Sequence, residues 1–171
     1  MSFWKKFEKF LNPNVESKKS TNSNVKPAHV DQLTDFSTVL NLEDIEINAV
    51  AESKNALLKA LADKTTDPET VYGKLLFREK ASSTEVGNGV ALPHMQDKSI
   101  PKLRVIILRL EKPIKWQQGG INLVIAVFIP EKETHFEHVT CLATICRHLL
   151  QKGFLRAMRN ARSKEDIYKL F

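Results

Sequence analysis

Two hydrophobic patterns alternate along residues 33–171 and predict an α/β domain. Apolar residues recur at helical spacing after Ser53 and again after Asp67-Pro68, and serine, aspartate and proline are typical of helix starts. Residues 102–110 have the pattern of a strand. Residues 121–130 are apolar on both alternations, which is typical of a central strand covered on both faces.

The last part of the chain has the pattern of three helices. Thr134 is a predicted N-cap for a long helix that Gly153 ends. Two shorter helices are predicted, one over residues 154–161 and one from Ser163 to Phe171. Together with a third, short strand, these elements run helix, helix, three strands and three helices. This order predicts a layered α/β domain with helices on the faces of the sheet.

The first 32 residues differ in composition from the rest. Residues 1–11 are predicted to form a short amphipathic helix, and 12–32, rich in Asn, Ser, Lys and Pro, a flexible linker ahead of the domain at 33–171. The apolar face of the helix carries Phe3, Trp4, Phe7, Phe10 and Leu11. This helix could dock weakly on a membrane surface or on a partner protein, or pack back on its own domain.

The charge balance changes along the chain. The net charge is +6, but residues 1–30 contribute +4 of it through six lysines and two glutamates. The remaining residues carry 20 basic and 18 acidic side chains, with no basic stripe interleaved with aromatics. We therefore expect no nucleic-acid partner.

Neither a membrane span nor a secretory signal is expected from the sequence. No run of 18 apolar residues occurs, and the first ten residues carry charges where the apolar core of a signal would lie. Cys141 and Cys146 lie five residues apart in one predicted helix, which fits buried thiols better than a disulfide or a redox pair. These features predict a cytoplasmic protein.

The stretch GNGVALPHM at residues 87–95 contains a histidine that directly follows a predicted strand. Ala91-Leu92 is predicted to be extended, because Pro93 fixes its own φ and removes the helical option for the residue before it. His94 is therefore held on rigid backbone at the end of a strand. A neutral imidazole nitrogen is a good nucleophile towards phosphorus, although a lone histidine in this position is more often structural.

Residues before His94 could bind a phosphoryl group. Gly87 and Gly89 would let backbone N–H groups approach an anion closely. Arg78 could supply a guanidinium fork, and Ser83 and Thr84 could supply hydroxyls. The residues alone leave a structural role for the histidine open.

The segment REKASSTEVGNGVALPH, from Arg78 to His94, resembles the active-site segment of the enzyme IIA domains of the sugar phosphotransferase system. The match is to the fructose–mannitol class, which includes the nitrogen-regulatory enzyme IIA. The similarity continues through Lys112-Pro113-Ile114 and Trp116 and through a helix that opens at a histidine, HVTCLATICRHLL. It ends in the closing helix SKEDIY and covers about residues 38–171.

This resemblance implies a phosphotransferase component that needs no metal or cofactor. In the family, a histidine accepts a phosphoryl group from the phosphocarrier protein HPr or a relative, and passes it to a cysteine of an enzyme IIB for sugar uptake. The alternative is a regulatory protein of the nitrogen branch, or a degenerate one, that binds other proteins according to its phosphorylation state. The implied fold is a mixed sheet flanked by helices, with the histidine accessible at a sheet edge.

The resemblance also implies roles for individual residues. His94 matches the phosphoacceptor, Arg78 the arginine that neutralises the phosphoryl charge, and His138 a second histidine near the first. The predicted phosphoryl-binding residues are Thr84, Ser83 and Asn88. The spacing of His135, His138 and Cys141 is poor for zinc, because no CxxC knuckle accompanies it.

Two positions depart from the family pattern. Glu85 stands where glycine is usual, and a carboxylate near a phosphoryl group would repel it by about 1 kcal/mol at a solvated distance near 4 Å. Met95 follows the histidine, where glycine is again usual, and its bulk could change which partner docks.

Overall fold

The computed structural model describes residues 34–132 and 135–171, except for the side chains of residues 135–138. Among the helices of this part of the chain, none is long and apolar enough to cross a membrane. The helices are α1 (Phe36–Val39), α2 (Lys54–Ala62), α3 (Pro68–Ala81), α4 (His135–Leu150), α5 (Phe154–Asn160) and α6 (Lys164–Tyr168). The strands are β1 (Leu40–Ala49), β2 (Glu85–Gly87), β3 (Val90–Ala91), β4 (His94–Asp97), β5 (Arg104–Lys115) and β6 (Gly120–Pro130).

Several predictions from the sequence fall outside the described residues. These are the helix over residues 1–11, the linker over 12–32 and the N-cap at Thr134. The start of the domain at residue 33 likewise stays a prediction.

The predicted helix starts are confirmed by side-chain capping. Ser53 Oγ accepts from Ala56 N at 3.2 Å at the start of α2. Asp67 accepts from the backbone of α3, whose first residue is Pro68. Ser163 begins α6 in a reciprocal capping box, which satisfies backbone donors that a helix start leaves unpaired.

The sheet is mixed, as the resemblance implied. Its order is β1-β5-β6-β3-β2, and β4 also pairs with β6. The β1–β5, β3–β6 and β4–β6 pairs are parallel, whereas β5–β6 and β2–β3 are antiparallel. Because β3 and β4 share one neighbour, the chain between them keeps to the same side of β6.

Helices cover both faces of the sheet, and β6 shows this most clearly. Leu123, Ile125 and Val127 belong to the core that α4, α5 and α6 share with one face. Val124 and Phe128 belong to the core that α2 and α3 share with the other. The prediction of a central strand buried on both faces is confirmed.

The predicted order of elements missed the short helix α1 and three of the six strands, β1, β2 and β4. The largest omission is β1, an edge of the sheet. Its sequence, LNLEDIEINA, carries Glu43, Asp44 and Glu46, which obscure the alternation of a half-buried strand. Asp44 is buried, and the guanidinium of Arg104 on β5 donates to both of its carboxylate oxygens. A contact between residues 60 positions apart therefore stabilises a strand that local pattern does not reveal.

The two cysteines are buried and free, as their spacing predicted. Burial in the core raises the pKa of both thiols, Cys141 and Cys146, to about 12. Thiols with so high a pKa are poor nucleophiles at neutral pH.

An ion pair connects α3 to the end of β4. Lys74 Nζ lies 2.5 Å from Asp97 Oδ2 and donates to the Gln96 carbonyl at 3.0 Å. Asp97 Oδ1 also accepts from Ser99 N at 2.7 Å. Mainly because of the hydrogen bond from Lys74, the pKa of Asp97 falls to about 2. Lys74 and Arg78 lie four residues apart on one face of α3, so this contact also positions Arg78 over β4.

Asp97→Asn should lower the free energy of unfolding at pH 7 by about 1–2 kcal/mol, because the charge-assisted bonds to Lys74 are lost. The folded-state pKa lies below the ordinary 3.8, so the carboxylate stabilises the fold above about pH 4. That stability is lost as the pH falls towards 2. Urea unfolding at pH 7, 4 and 3 should show the difference between wild type and variant shrinking.

The matched control for this measurement is Asp63→Asn. Asp63 forms an exposed i,i+4 pair with Lys59 at 3.3 Å, so its loss should cost less than about 0.5 kcal/mol at every pH. A difference for Asp97→Asn that grows as the pH falls would contradict the assignment.

Candidate active site

His94 is the first residue of β4 and follows Pro93 on extended backbone. It pairs in register with Val127 of β6, whose N–H donates to the Pro93 carbonyl at 2.9 Å. The residue is 6% exposed, so the expectation of an accessible histidine is wrong. Part of the physical reason is that the Arg78 side chain reaches from α3 and lies against the imidazole.

Two hydrogen bonds fix the tautomer of the His94 ring. Arg78 Nε lies 3.0 Å from His94 Nε2, and an arginine N–H only donates, so Nε2 must accept. His94 Nδ1 lies 2.9 Å from the Leu92 carbonyl, which only accepts, so Nδ1 carries the proton. In this arrangement of partners the lone pair of the ring lies on Nε2.

Arg78 lies in the last turn of α3, and the acceptors of its guanidinium include a side chain and a backbone carbonyl. Besides Nε2 of His94, it binds the Ser82 carbonyl through Nη1 at 2.8 Å. Burial lowers the pKa of Arg78, although the neighbouring Glu79 carboxylate opposes this shift. An arginine remains cationic at neutral pH, so a full positive charge lies beside Nε2 of His94.

Ser83 and Thr84 are bound by a carboxylate on α3. Thr84 is 1% exposed, and its hydroxyl and N–H donate to Glu79 Oε2 at 2.6 and 3.0 Å. The Ser83 hydroxyl donates to Glu79 Oε1 at 3.1 Å. Both hydroxyl protons are thus directed at a carboxylate, and phosphoryl binding by these residues stays a prediction.

Glu79 binds the segment that follows α3, a role that the sequence analysis did not predict. It lies on the buried face of α3 with Val71 and Leu75, at four-residue spacing, and Lys54 Nζ lies 3.6 Å from its Oε1. A carboxylate at an otherwise apolar helical position was the available signal, because a buried charge needs partners.

Asn88 lies far from His94. It occupies the turn between β2 and β3 with φ +51°, next to Gly87 at +98° and Gly89 at +71°. Val90 pairs with Leu123 whereas His94 pairs with Val127, which places the turn about 16 Å from His94 along the strand. The glycines serve this tight turn, and the structure does not bring Asn88 or these N–H groups to the histidine.

The two departures from the family pattern have structural explanations. Glu85 Oε2 accepts from Gln117 N at 3.2 Å and Gln118 N at 2.8 Å, so its carboxylate caps the turn between β5 and β6. Met95 is 5% exposed and packs in the core beneath α2 and α3, so it adds no bulk to a docking surface.

The position of the second predicted histidine is described only at the level of the backbone. His138 is the fourth residue of α4. Its side chain, like that of His135, lies outside the described part of the chain. The pairing of His138 with His94 therefore stays a prediction.

Thr84→Val should lower the free energy of unfolding by about 1–3 kcal/mol, because a buried carboxylate loses a donor. If the Thr84 hydroxyl serves only Glu79, phosphorylation of the folded variant stays within about threefold of wild type. Ser83→Ala is the matched control and should cost about 0.5–1 kcal/mol. Urea unfolding and phosphate incorporation measure the two effects, and normal stability with lost labelling would instead place the Thr84 hydroxyl on the phosphoryl group.

The ring nitrogens of His94 should show the Nδ1–H tautomer in a two-bond ¹H–¹⁵N NMR spectrum, at a pH where the ring is neutral. The reason is that Arg78 can only donate to Nε2. His94→Gln identifies the signal by its loss. A spectrum with the proton on Nε2 would contradict the geometry.

Known proteins resemble this chain in sequence and in fold. The chain is similar to the nitrogen regulatory protein of Escherichia coli K12, with 28% identity over 150 residues, 82% of this chain and 91% of that protein. Its fold is similar to that of nitrogen regulatory protein IIA-Ntr from Neisseria meningitidis, with TM-score 0.73 and 21% identity over 79% of this chain and 97% of that one.

A second structural relative was solved with a partner. It is the mannitol enzyme IIA of Escherichia coli in its complex with phosphorylated enzyme IIB, with TM-score 0.63 and 18% identity over 77% of this chain and 97% of that one. Residues 38–171 match the family described as "Phosphoenolpyruvate-dependent sugar phosphotransferase system, EIIA 2". The chain therefore belongs to the type-2 enzyme IIA family of the phosphotransferase system.

Proposed function

We propose that this protein carries a phosphoryl group on Nε2 of His94, taking it from an HPr-type phosphohistidine protein and giving it to the cysteine of an enzyme IIB. The observation that carries the proposal is the fixed tautomer of His94. The Leu92 carbonyl holds the ring proton on Nδ1, which leaves the Nε2 lone pair for attack on phosphorus.

The accepting step exchanges one nitrogen–phosphorus bond for another. As Nε2 attacks, the bond between phosphorus and the donor histidine breaks, and its electron pair returns to the donor ring. No proton needs to leave His94, because Nδ1 keeps its hydrogen. The Leu92 carbonyl stabilises the positive charge that develops on the ring.

Arg78 has two roles in succession. In the resting protein its Nε donates to the attacking lone pair and covers it. Docking of the donor brings phosphoryl oxygens into reach of the guanidinium, which moves from Nε2 to these oxygens and neutralises their charge. Resting His94 is thus protected until a phosphorylated partner arrives.

In the second step, His94 transfers the phosphoryl group to enzyme IIB. The cysteine thiolate of enzyme IIB attacks phosphorus, the bond from Nε2 to phosphorus breaks, and the lone pair returns to His94. The mannitol enzyme IIA that shares this fold was solved with phosphorylated enzyme IIB, which supports an enzyme IIB as partner. We place both steps in the cytoplasm.

A regulatory function is the second candidate. The E. coli protein that is 28% identical over 150 residues is a nitrogen regulatory protein, and this favours binding of other proteins according to phosphorylation state. The match to the sugar phosphotransferase family favours sugar uptake, for which we propose fructose or mannitol as the substrate class. Both functions use the same phosphorylated histidine.

Incubation with phosphoenolpyruvate, enzyme I and HPr should add one acid-labile phosphoryl group, seen by intact-mass spectrometry. His94→Ala should abolish it, whereas His29→Ala, which removes a histidine of the tail, should not. Label retained by His94→Ala, or absent from wild type with several HPr-type donors, would reject the proposal.

Arg78→Gln should slow labelling about 10- to 100-fold, because the phosphoryl charge is no longer neutralised. Arg78→Lys should fall between wild type and Arg78→Gln, since it keeps the charge without the fork. Lys80→Gln is the control, because Lys80 is an exposed cation of the same helix. Faster labelling of Arg78→Gln would show that covering the lone pair outweighs charge neutralisation.

Transfer to enzyme IIB separates the two candidate functions. Sugar phosphorylation by phosphorylated protein with mannitol- or fructose-type IIB and membrane components supports uptake. Selective binding of cellular proteins by the phosphorylated or unphosphorylated form, without sugar phosphorylation, supports regulation.

A further inference from the structure

One buried carboxylate holds the connecting segment, which we define as residues 82–84 between α3 and β2. Glu79 is 7% exposed, and one of its oxygens accepts from both the N–H and the hydroxyl of Thr84. Its other oxygen accepts from the Ser83 hydroxyl at 3.1 Å. Because these bonds are lost if the segment shifts, the carboxylate restrains the position of the segment.

The connecting segment in turn contacts both hydrogen-bond partners of His94. The Ser82 carbonyl accepts from Arg78 Nη1 at 2.8 Å, and Nε of the same guanidinium donates to His94 Nε2. The Thr84 carbonyl accepts from the N–H of Leu92 at 2.9 Å, and the Leu92 carbonyl lies 2.9 Å from His94 Nδ1. A shift of the segment would therefore affect the contacts of both ring nitrogens.

The bonds to Glu79 restrain the two carbonyls of the segment that serve the site. Ser83 shares a peptide group with the Ser82 carbonyl, and Thr84 carries the second carbonyl itself. Because a peptide group is planar, holding Ser83 and Thr84 also limits the directions of these carbonyls. One residue of α3 thus restrains an acceptor of the guanidinium that the preceding residue carries.

We propose that Glu79 is a positioning residue for phosphoryl transfer at His94, acting through the connecting segment on the Arg78 guanidinium and on the Leu92 carbonyl. Its oxygens bind Ser83 and Thr84, so its contribution is to the geometry of the site. The inference rests on the proposed function, because it assigns a role in that transfer.

The restraint matters most when Arg78 changes its acceptor. In the proposed transfer, the guanidinium moves from Nε2 of His94 to the phosphoryl oxygens. The Ser82 carbonyl keeps its bond to Nη1 during this movement, so the guanidinium turns about a fixed point. A charge that is oriented in this way before the reaction lowers the barrier of the chemical step.

Transfer from a saturating concentration of phosphorylated HPr to the full chain tests the proposal. Glu79→Ala should lower the rate constant at least about tenfold, because the segment loses all three bonds. Glu79→Gln should stay within about threefold of wild type, since its amide oxygen accepts from Thr84 and its amide nitrogen donates to the Ser83 hydroxyl. The rate constant is compared rather than the final extent of labelling, so that an unfolded fraction does not mimic the effect.

A double-mutant cycle tests whether Glu79 acts through Arg78. In the Arg78→Gln background, Glu79→Ala should slow the transfer further by less than about threefold, because the guanidinium that it positions is absent. Two effects that multiply in full would show that Glu79 acts independently of Arg78 and would contradict the proposal.

The NMR signal of the Arg78 Nε–H group gives a readout that needs no phosphoryl donor. This group donates to His94 Nε2, so its hydrogen should exchange slowly with water, and Glu79→Ala should accelerate the exchange at least about tenfold. Arg78→Lys, which lacks Nε, identifies the signal by its loss. If the wild-type protein accepts no phosphoryl group, the proposed function fails, and the exchange rate still decides whether Glu79 positions Arg78.

Asp44→Asn is the matched control for Glu79→Gln and Glu79→Ala. Asp44 is also a buried carboxylate, bound by Arg104, but it lies on β1, three strand spacings or about 14 Å from β4. Its substitution should lower the melting temperature, as Glu79→Ala should. The transfer rate and the exchange of the Arg78 Nε–H group should stay within about threefold of wild type.

Other results of these measurements would overturn the proposal. Transfer by Glu79→Ala at the wild-type rate, with unchanged exchange of the Arg78 signal, would confine Glu79 to a structural role. Equal slowing by Glu79→Gln and Glu79→Ala would assign the effect to the negative charge. Equal slowing by Asp44→Asn would reduce it to a general loss of stability.

Discussion

The structure around the candidate site depends on the two hydrogen bonds of the His94 imidazole. The Leu92 carbonyl holds a proton on one nitrogen, and the Arg78 guanidinium lies on the other. Contacts within the protein fix both partners. The N–H of Leu92 donates to the Thr84 carbonyl at 2.9 Å, and the helix that carries Arg78 contacts β4 through Lys74. The ring is therefore preorganised, and the cost of orienting it is met during folding.

Arg78 and Glu79 are consecutive residues of α3 and contact different parts of the structure. Arg78 faces the histidine, whereas Glu79 faces inward and binds Ser83 and Thr84. A buried carboxylate is unfavourable unless it is satisfied, and here three donors and the Lys54 ammonium group compensate it. Because these donors come from the segment that follows α3, Glu79 fixes the path of the chain towards the β2–β3 hairpin and so towards Pro93.

Structural features that depend on neighbouring residues in the chain can be predicted from the sequence. Ser53 and Asp67 cap helices through backbone N–H groups only three residues away. The apolar run at 121–130 has no polar face, so both of its sides are buried. The strand β1 depends instead on Arg104, which lies on β5. The burial of His94 depends in part on Arg78, which lies on α3. The hydroxyl of Thr84 illustrates the same limit, because a motif position indicates a residue type but not whether its proton is directed at a ligand or at Glu79.

A phosphoryl carrier with one histidine has to present it to two proteins in turn, which restricts where any other contact can lie. In the proposed transfer both partners contact the surface near His94 and Arg78, so a lasting attachment there would compete with transfer. The turn at Asn88, whose carbonyl accepts from Arg159, meets this constraint because it lies at the far end of β6 from His94.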